Sequence, residues 1–245
     1  MYNSKKEGVN FLMPRTIPVW KNPYGCGMSL CKARKITIND GLTVLIGCNG
    51  AGKTTLLHNI QSELKDNKIP CITFDNMDED SSKLISEAMF NDNHSLAGSL
   101  MCASEGEAIS IKLGQLIAKL RKFMLTGDSQ SRAERLAKIF QKENSSEEKQ
   151  PVSNERWILF DAVDSGYSID NIVELKDLFQ LIIDDAKSHG IDAYIIVSAN
   201  EYEMASSASC FDVISGKYIN INSYEEFKAA ILASRKKKDK RFKND

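Results

Sequence analysis

Residues 42–57, L-T-V-L-I-G-C-N-G-A-G-K-T-T-L-L, constrain this chain more than any other stretch: an apolar run, a glycine-rich turn, then a helical pattern. Gly47 to Thr54 has the G-x-x-x-x-G-K-T spacing of a phosphate-binding loop. Val44-Leu45-Ile46 suits a buried strand, and Leu56, Leu57, Ile60 and Leu64 fall on one face of the helix that follows. Gly47, Gly50 and Gly52 can take backbone conformations that other residues resist, so successive N–H groups turn inward on an anion. The helix adds the positive end of its dipole. Lys53 offers an ammonium group to β- and γ-phosphates, and the Thr54 hydroxyl is a ligand for Mg²⁺. The residues expected to hold nucleotide are therefore Gly47, Asn49, Gly50, Ala51, Gly52, Lys53, Thr54 and Thr55.

The rest of the chain sets the frame. With 245 residues, 42% of them hydrophobic, it can bury one substantial core, so one domain spanning 1–245 is the expectation. A formal net charge of -1 gives no global bias toward nucleic acid. Six cysteines (Cys26, Cys31, Cys48, Cys71, Cys102 and Cys210) lack C-x-x-C pairing or a metal-ligand rhythm and read as reduced thiols of a cytoplasmic protein. Pro14, Arg15, Pro18 and Lys21 interrupt the apolar residues near the N-terminus, which argues against a secretory signal. No stretch reaches the ~18 apolar residues needed to span a bilayer.

Residues 1–28 read as irregular because of Pro14, Pro18 and Pro23. Trp20 or Tyr24 either covers an adenine face or simply packs. Ala33 to Ile38 is a strand, followed by a turn at Asn39-Asp40-Gly41. Ile69 to Phe74 is another, with Asp75 or Asn76 at its tip able to reach a metal or its water. Asp78, Glu79 and Asp80 read as a solvated loop. Residues 78–153 form the expected helical insert, with helical patterns at Ser81–Phe90, Ile111–Leu120 and Arg132–Lys142. Trp157-Ile-Leu-Phe160 is a buried parallel strand ending in Asp161, which suits the carboxylate that holds Mg²⁺ beside a P-loop. Asp170 or Asn171 caps the next helix, which His189-Gly190 closes. Ala193 to Val197 is a further buried strand ending at Ser198-Ala199-Asn200. A hairpin at Ser215-Gly216, a last helix capped at Ser223 and a basic tail, 235–245, complete the chain. The tail is either solvated or drawn to nucleic-acid phosphate.

With these residues in place, the chain resembles the ABC-type ATPases. Gly47-Cys-Asn-Gly-Ala-Gly-Lys-Thr-Thr55 looks like their G-x-N-G-x-G-K-[ST]-T loop. Ala103-Ser-Glu-Gly-Glu107 resembles their signature motif, and Trp157 to Ser165 their Walker B strand with the loop that follows. The resemblance implies that two heads sandwich Mg-ATP as a homodimer, with Ser104, Gly106 and Glu107 of one head meeting the nucleotide of the other. Read without the resemblance, the same residues make an ordinary helix N-cap with early acids. Ala162 stands where the family has its catalytic glutamate, and Asn200 where it has a histidine. Asp164 or Asn200, with Lys53, is left to serve catalysis. Lys53 to Ser104 is short for the family and Ser104 to Asp161 long, which excludes the long coiled coil of chromosome-maintenance and repair relatives. The pattern is most similar to compact stand-alone ATPases of bacteria and their phages.

The expectation is an α/β P-loop NTPase with a mostly parallel sheet, antiparallel edge strands and a small helical insert. Its implied activity is hydrolysis of Mg-ATP by a soluble cytoplasmic protein (host cytoplasm if phage-encoded) in DNA repair, recombination or phage–host processes. The alternative is an ATP-binding switch with little turnover.

Overall fold

The computed structural model describes residues 14–19, 33–75, 88–89, 93–128, 153–164 and 167–242. Within them the chain runs β1 (Arg15–Pro18), β2 (Lys35–Ile38), β3 (Gly41–Ile46), α1 (Lys53–Asp66), β4 (Cys71–Asp75), α2 (His94–Cys102) and α3 (Glu105–Thr126). It continues through β5 (Glu155–Asp161), α4 (Ile169–Ser188), β6 (Asp192–Ser198), α5 (Tyr202–Ala205), β7 (Ser209–Asp212), β8 (Lys217–Ile219) and α6 (Tyr224–Phe242). Trp20, Tyr24, Asn76, the acids Asp78–Asp80, the pattern at 132–142 and Ser165-Gly166 lie outside the described residues. Of the pattern at Ser81–Phe90, only Ala88 and Met89 are described, and both are helical.

The main sheet has the order β4-β5-β6-β3-β7-β8. Every pairing from β4 to β7 is parallel, and β8 returns antiparallel along β7. Period-2 alternation within continuously apolar strands sends side chains into two separate cores. Val44, Ile46, Ile158, Phe160, Ile195 and Val197 face α3 and α4, where Leu120, Phe123, Leu175 and Phe179 are buried. Leu45, Trp157, Leu159, Tyr194 and Ile196 face α1, packing on Leu56, Leu57, Ile60 and Leu64. Trp157 and Tyr194, opposite each other in the β5–β6 register, stack at 4.0 Å. This is the α/β fold of a P-loop NTPase: helices on both faces of a mostly parallel sheet, with an antiparallel edge.

Four placements differ from the sequence reading. Arg15–Pro18, expected to be irregular, pairs antiparallel with β2. Pro14 and Pro18 fall at or beyond its ends, where a missing N–H costs little. Ile17 and Ile36 of this ribbon close the α1-side core. The region expected as an insert sends α3 into the main core through Leu113, Leu116, Leu120, Phe123 and Met124. The cap of α4 is Ser168 rather than Asp170 or Asn171. Finally, the supposed basic tail is the second half of α6, helical to Phe242. Among the described residues, no helix is long and apolar enough to cross a membrane.

Candidate functional site

At the loop itself, the backbone does what the glycines allow. Gly50 (φ 76°) and Gly52 (φ 104°) lie in the left-handed region, and the Ala51 N–H closes a turn on the Cys48 carbonyl at 3.0 Å. Gly47 serves close packing instead, since a Cβ there would meet the Ala51 Cβ at 2.9 Å. Helix α1 then starts at Lys53 with no side-chain cap and no acid in its first turn. Its first N–H groups therefore stay available to an anion.

Lys53 is 9% exposed. Its Nζ donates to the Gly47 carbonyl at 2.7 Å and to Asn200 Oδ1 at 3.2 Å. Burial pushes the ammonium below the ordinary lysine range, opposed by Cys48, Asp164 and Asp161 nearby. Lys53, Thr54, Thr55, Asn49, Gly50, Gly52 and Asp161 line one cleft of about 310 Å³, together with Cys48, Ala162, Ser198 and Asn200.

Strand β6 lies between β3 and β5, so Asp161 does not sit on the strand next to the loop. The tip of β6 bridges the gap. Ser198, 1% exposed, donates from Oγ to Asp161 Oδ1 at 2.5 Å and accepts the Ala162 N–H at 2.8 Å. Ser198 is the site residue that sequence reasoning missed. Its only signal was a hydroxyl at the end of a buried strand. Asp75 is in register with Asp161 at the end of β4, the edge strand three places from β3.

Ala162 follows Asp161 with φ 51°. A left-handed alanine costs roughly 1–2 kcal/mol and is held here by the bond from its N–H to Ser198. Its methyl group is all it offers the cleft. Asp164, expected near the reacting phosphate, is 3% exposed. It is absent from the cleft wall, and its Oδ2 accepts the N–H groups of Asn200 at 2.5 Å and Glu201 at 2.6 Å. Its Oδ1 is buried with no partner among the described residues. Asp164 thus anchors the turn that carries Asn200.

The segment read as a signature caps α3. The Glu107 N–H donates to Ser104 Oγ at 3.4 Å, while the Ser104 N–H and Oγ both donate to Glu107 Oε2 at 2.8 Å. Those bonds hold the Glu107 carboxyl below the usual carboxylate range. Ser104, Gly106 and Glu107 are exposed, and none lines the phosphate cleft of its own chain.

A family model described as the CobW/HypB/UreG nucleotide-binding domain matches residues 41–152, a little under half of the chain. The match takes in the loop and α1 but ends before Asp161, Ser198 and Asn200. Among solved structures, a nucleotide-free ATP-binding cassette from an ABC transporter is similar over 92% of this chain and 96% of its own, at 14% identity and a TM-score of 0.41. No curated protein sequence matches the chain. The loop, the sheet and the family match together describe a nucleotide-binding P-loop domain.

Proposed function

We propose that this chain binds Mg-ATP at the Gly47–Thr55 loop and is an ATPase of slow turnover. The observation that carries the reading is the single cleft shared by an uncapped helix start, Lys53, Thr54 and Asp161. Thr54 and Asp161 are the residues suited to Mg²⁺, Asp161 because Ser198 fixes one carboxylate oxygen and leaves the other for the ion or its water. When bound, the ion offsets charge on the terminal phosphates. Lys53 exchanges its bond to Asn200 for phosphate oxygen, and Asn200 then serves as the water-positioning group. The exposed Ser104–Glu107 turn supports a head-to-head homodimer in which it meets the partner's nucleotide. A role in DNA repair, recombination or phage–host conflict belongs to the same reading. Calorimetry tests the site: Lys53→Ala should abolish Mg-ATP binding, and unchanged affinity would overturn the assignment.

Ala162 and the inward turn of Asp164 favour a second reading, a nucleotide-dependent switch without turnover. Phosphate release separates the two. Turnover in wild type that is lost in Asn200→Ala supports the enzyme, and none in wild type supports the switch.

A further inference from the structure

From the packing of α6 on the loop we infer that Lys238 contacts the terminal phosphate of the bound nucleotide and so distinguishes triphosphate from diphosphate. This rests on the nucleotide-binding reading above. Helix α6 is held to the body by buried Phe227, whose ring lies 5.9 Å from that of Tyr202, and by buried Ser234, whose Oγ accepts the Cys48 N–H at 3.1 Å. A residue four positions on lies on the same helix face, and that residue is Lys238. Its Nζ donates to the Asn49 carbonyl at 2.8 Å. A Cβ at position 50 would stand 3.0 Å from the Lys238 Nζ and 3.3 Å from its Cε, so the lysine lies directly against the Gly50 backbone.

The position relative to the nucleotide follows from Lys53. Its ammonium, which serves the β- and γ-phosphates in a P-loop, rests against Gly47 and Asn200. Those two residues also line a second cleft, of about 480 Å³, between the loop and α6, with Lys228, Arg235 and Lys238 on its far wall. Both clefts share Cys48, Asn49 and Asn200. The two clefts therefore adjoin beside the Lys53 ammonium, with the phosphate end of a nucleotide in the first and Lys238 on the wall of the second. Among the described residues, no carboxylate pairs with Lys238, whereas Arg235 lies 4.0 Å from Asp239 on its own helix. A lysine ammonium carries three protons. One goes to the neutral Asn49 carbonyl, which leaves two for a phosphate oxygen, a stronger acceptor. A cation supplied in cis at this end of a phosphate chain acts on the terminal group, and a diphosphate lacks it.

Calorimetry on the full chain, with Mg²⁺ and either ADP or a non-hydrolysable ATP analogue, tests the assignment. Lys238→Met keeps the methylenes against Gly50 and removes the charge, Lys238→Ala removes both, and Lys238→Arg restores the charge. Both neutral variants should bind the triphosphate analogue about tenfold or more weakly, the loss of one charged hydrogen bond, with ADP affinity within about twofold of wild type. The arginine variant should recover most of the loss. Equal loss for both ligands would reduce Lys238 to a structural role, and no loss for either would overturn the assignment outright. A wild type that binds neither ligand would instead remove the nucleotide-binding reading, and this inference with it.

Discussion

Ser198→Ala removes one oxygen whose two hydrogen bonds can be weighed separately. The bond to Asp161 Oδ1 involves an ionised acceptor, a class that contributes ~1.5–3 kcal/mol, and the bond from the Ala162 N–H belongs to the neutral class at ~0.5–1.5 kcal/mol. Ser198 is buried, but Asp161 and Ala162 are half-exposed at the cleft wall, so water can replace part of what is lost. The lower ends of both ranges apply, for a total of about 2 kcal/mol. For a chain of this length that is a fall of about 4–8 °C in Tm. Urea unfolding of wild type, Ser198→Ala, Asp161→Ala and the double variant, at equal m, closes a cycle that isolates the side-chain pair. The expected coupling is about 1 kcal/mol, and Mg-ATP affinity should fall in Ser198→Ala as the carboxylate loses its orientation. A coupling below about 0.3 kcal/mol would refute the claim that Ser198 holds Asp161 in place.

Asp164→Ala leaves the Asn200 and Glu201 N–H groups without their acceptor, at ~1–3 kcal/mol each, while relieving a buried oxygen that has no partner among the described residues. The net expectation is about 3 kcal/mol of destabilisation, read as a drop of about 6–12 °C in Tm; a Tm within about 1 °C of wild type would remove the anchoring role. Burial pushes the Cys71 thiol up to about 12 and the Cys210 thiol up to about 11. A raised folded-state pKa gives stability that is complete below the unfolded thiol value and is lost as pH rises through the folded one. Denaturant midpoints should therefore fall less between about pH 8 and pH 11 in a Cys71→Ala/Cys210→Ala variant than in wild type, and identical slopes would count against the burial effect.

What could be read before folding was local. The P-loop was legible because its glycine spacing, the strand before it and the helix after it lie within sixteen consecutive residues. Asp161 was legible because an apolar run ended on an acid. Ser198 was not, because its partner Asp161 lies 37 residues away and only the order β5-β6-β3 brings them side by side. Asp164 sits three residues from Asp161 in sequence, but a turn decides the direction of a side chain, and this one aims the carboxylate at Asn200 and Glu201 rather than at the cleft. The basic run from Arg235 obscured α6 in the same way. Charge density suggested a solvated tail, while the four-residue step from Ser234 to Lys238 put one face of that run onto the loop.

The insertion of β6 between the loop strand and the Asp161 strand explains why the site has the parts it does. Lys53 and Asp161 must face one cleft, yet their strands are not neighbours, and the space between them is filled by the tip of β6. Ser198 reaches one way to Asp161, Asn200 reaches the other way to Lys53, and Asp164 comes back from the end of β5 to hold the Asn200 backbone. A phosphate that draws Lys53 away therefore frees the Asn200 side chain without releasing its main chain, so Asn200 stays at the cleft wall with its amide available. Ala162 contributes only a methyl group there. On the reading proposed above, the amide of Asn200 is the polar group left at that wall, uncharged and able to orient water but not to take its proton, which suits slow hydrolysis or none.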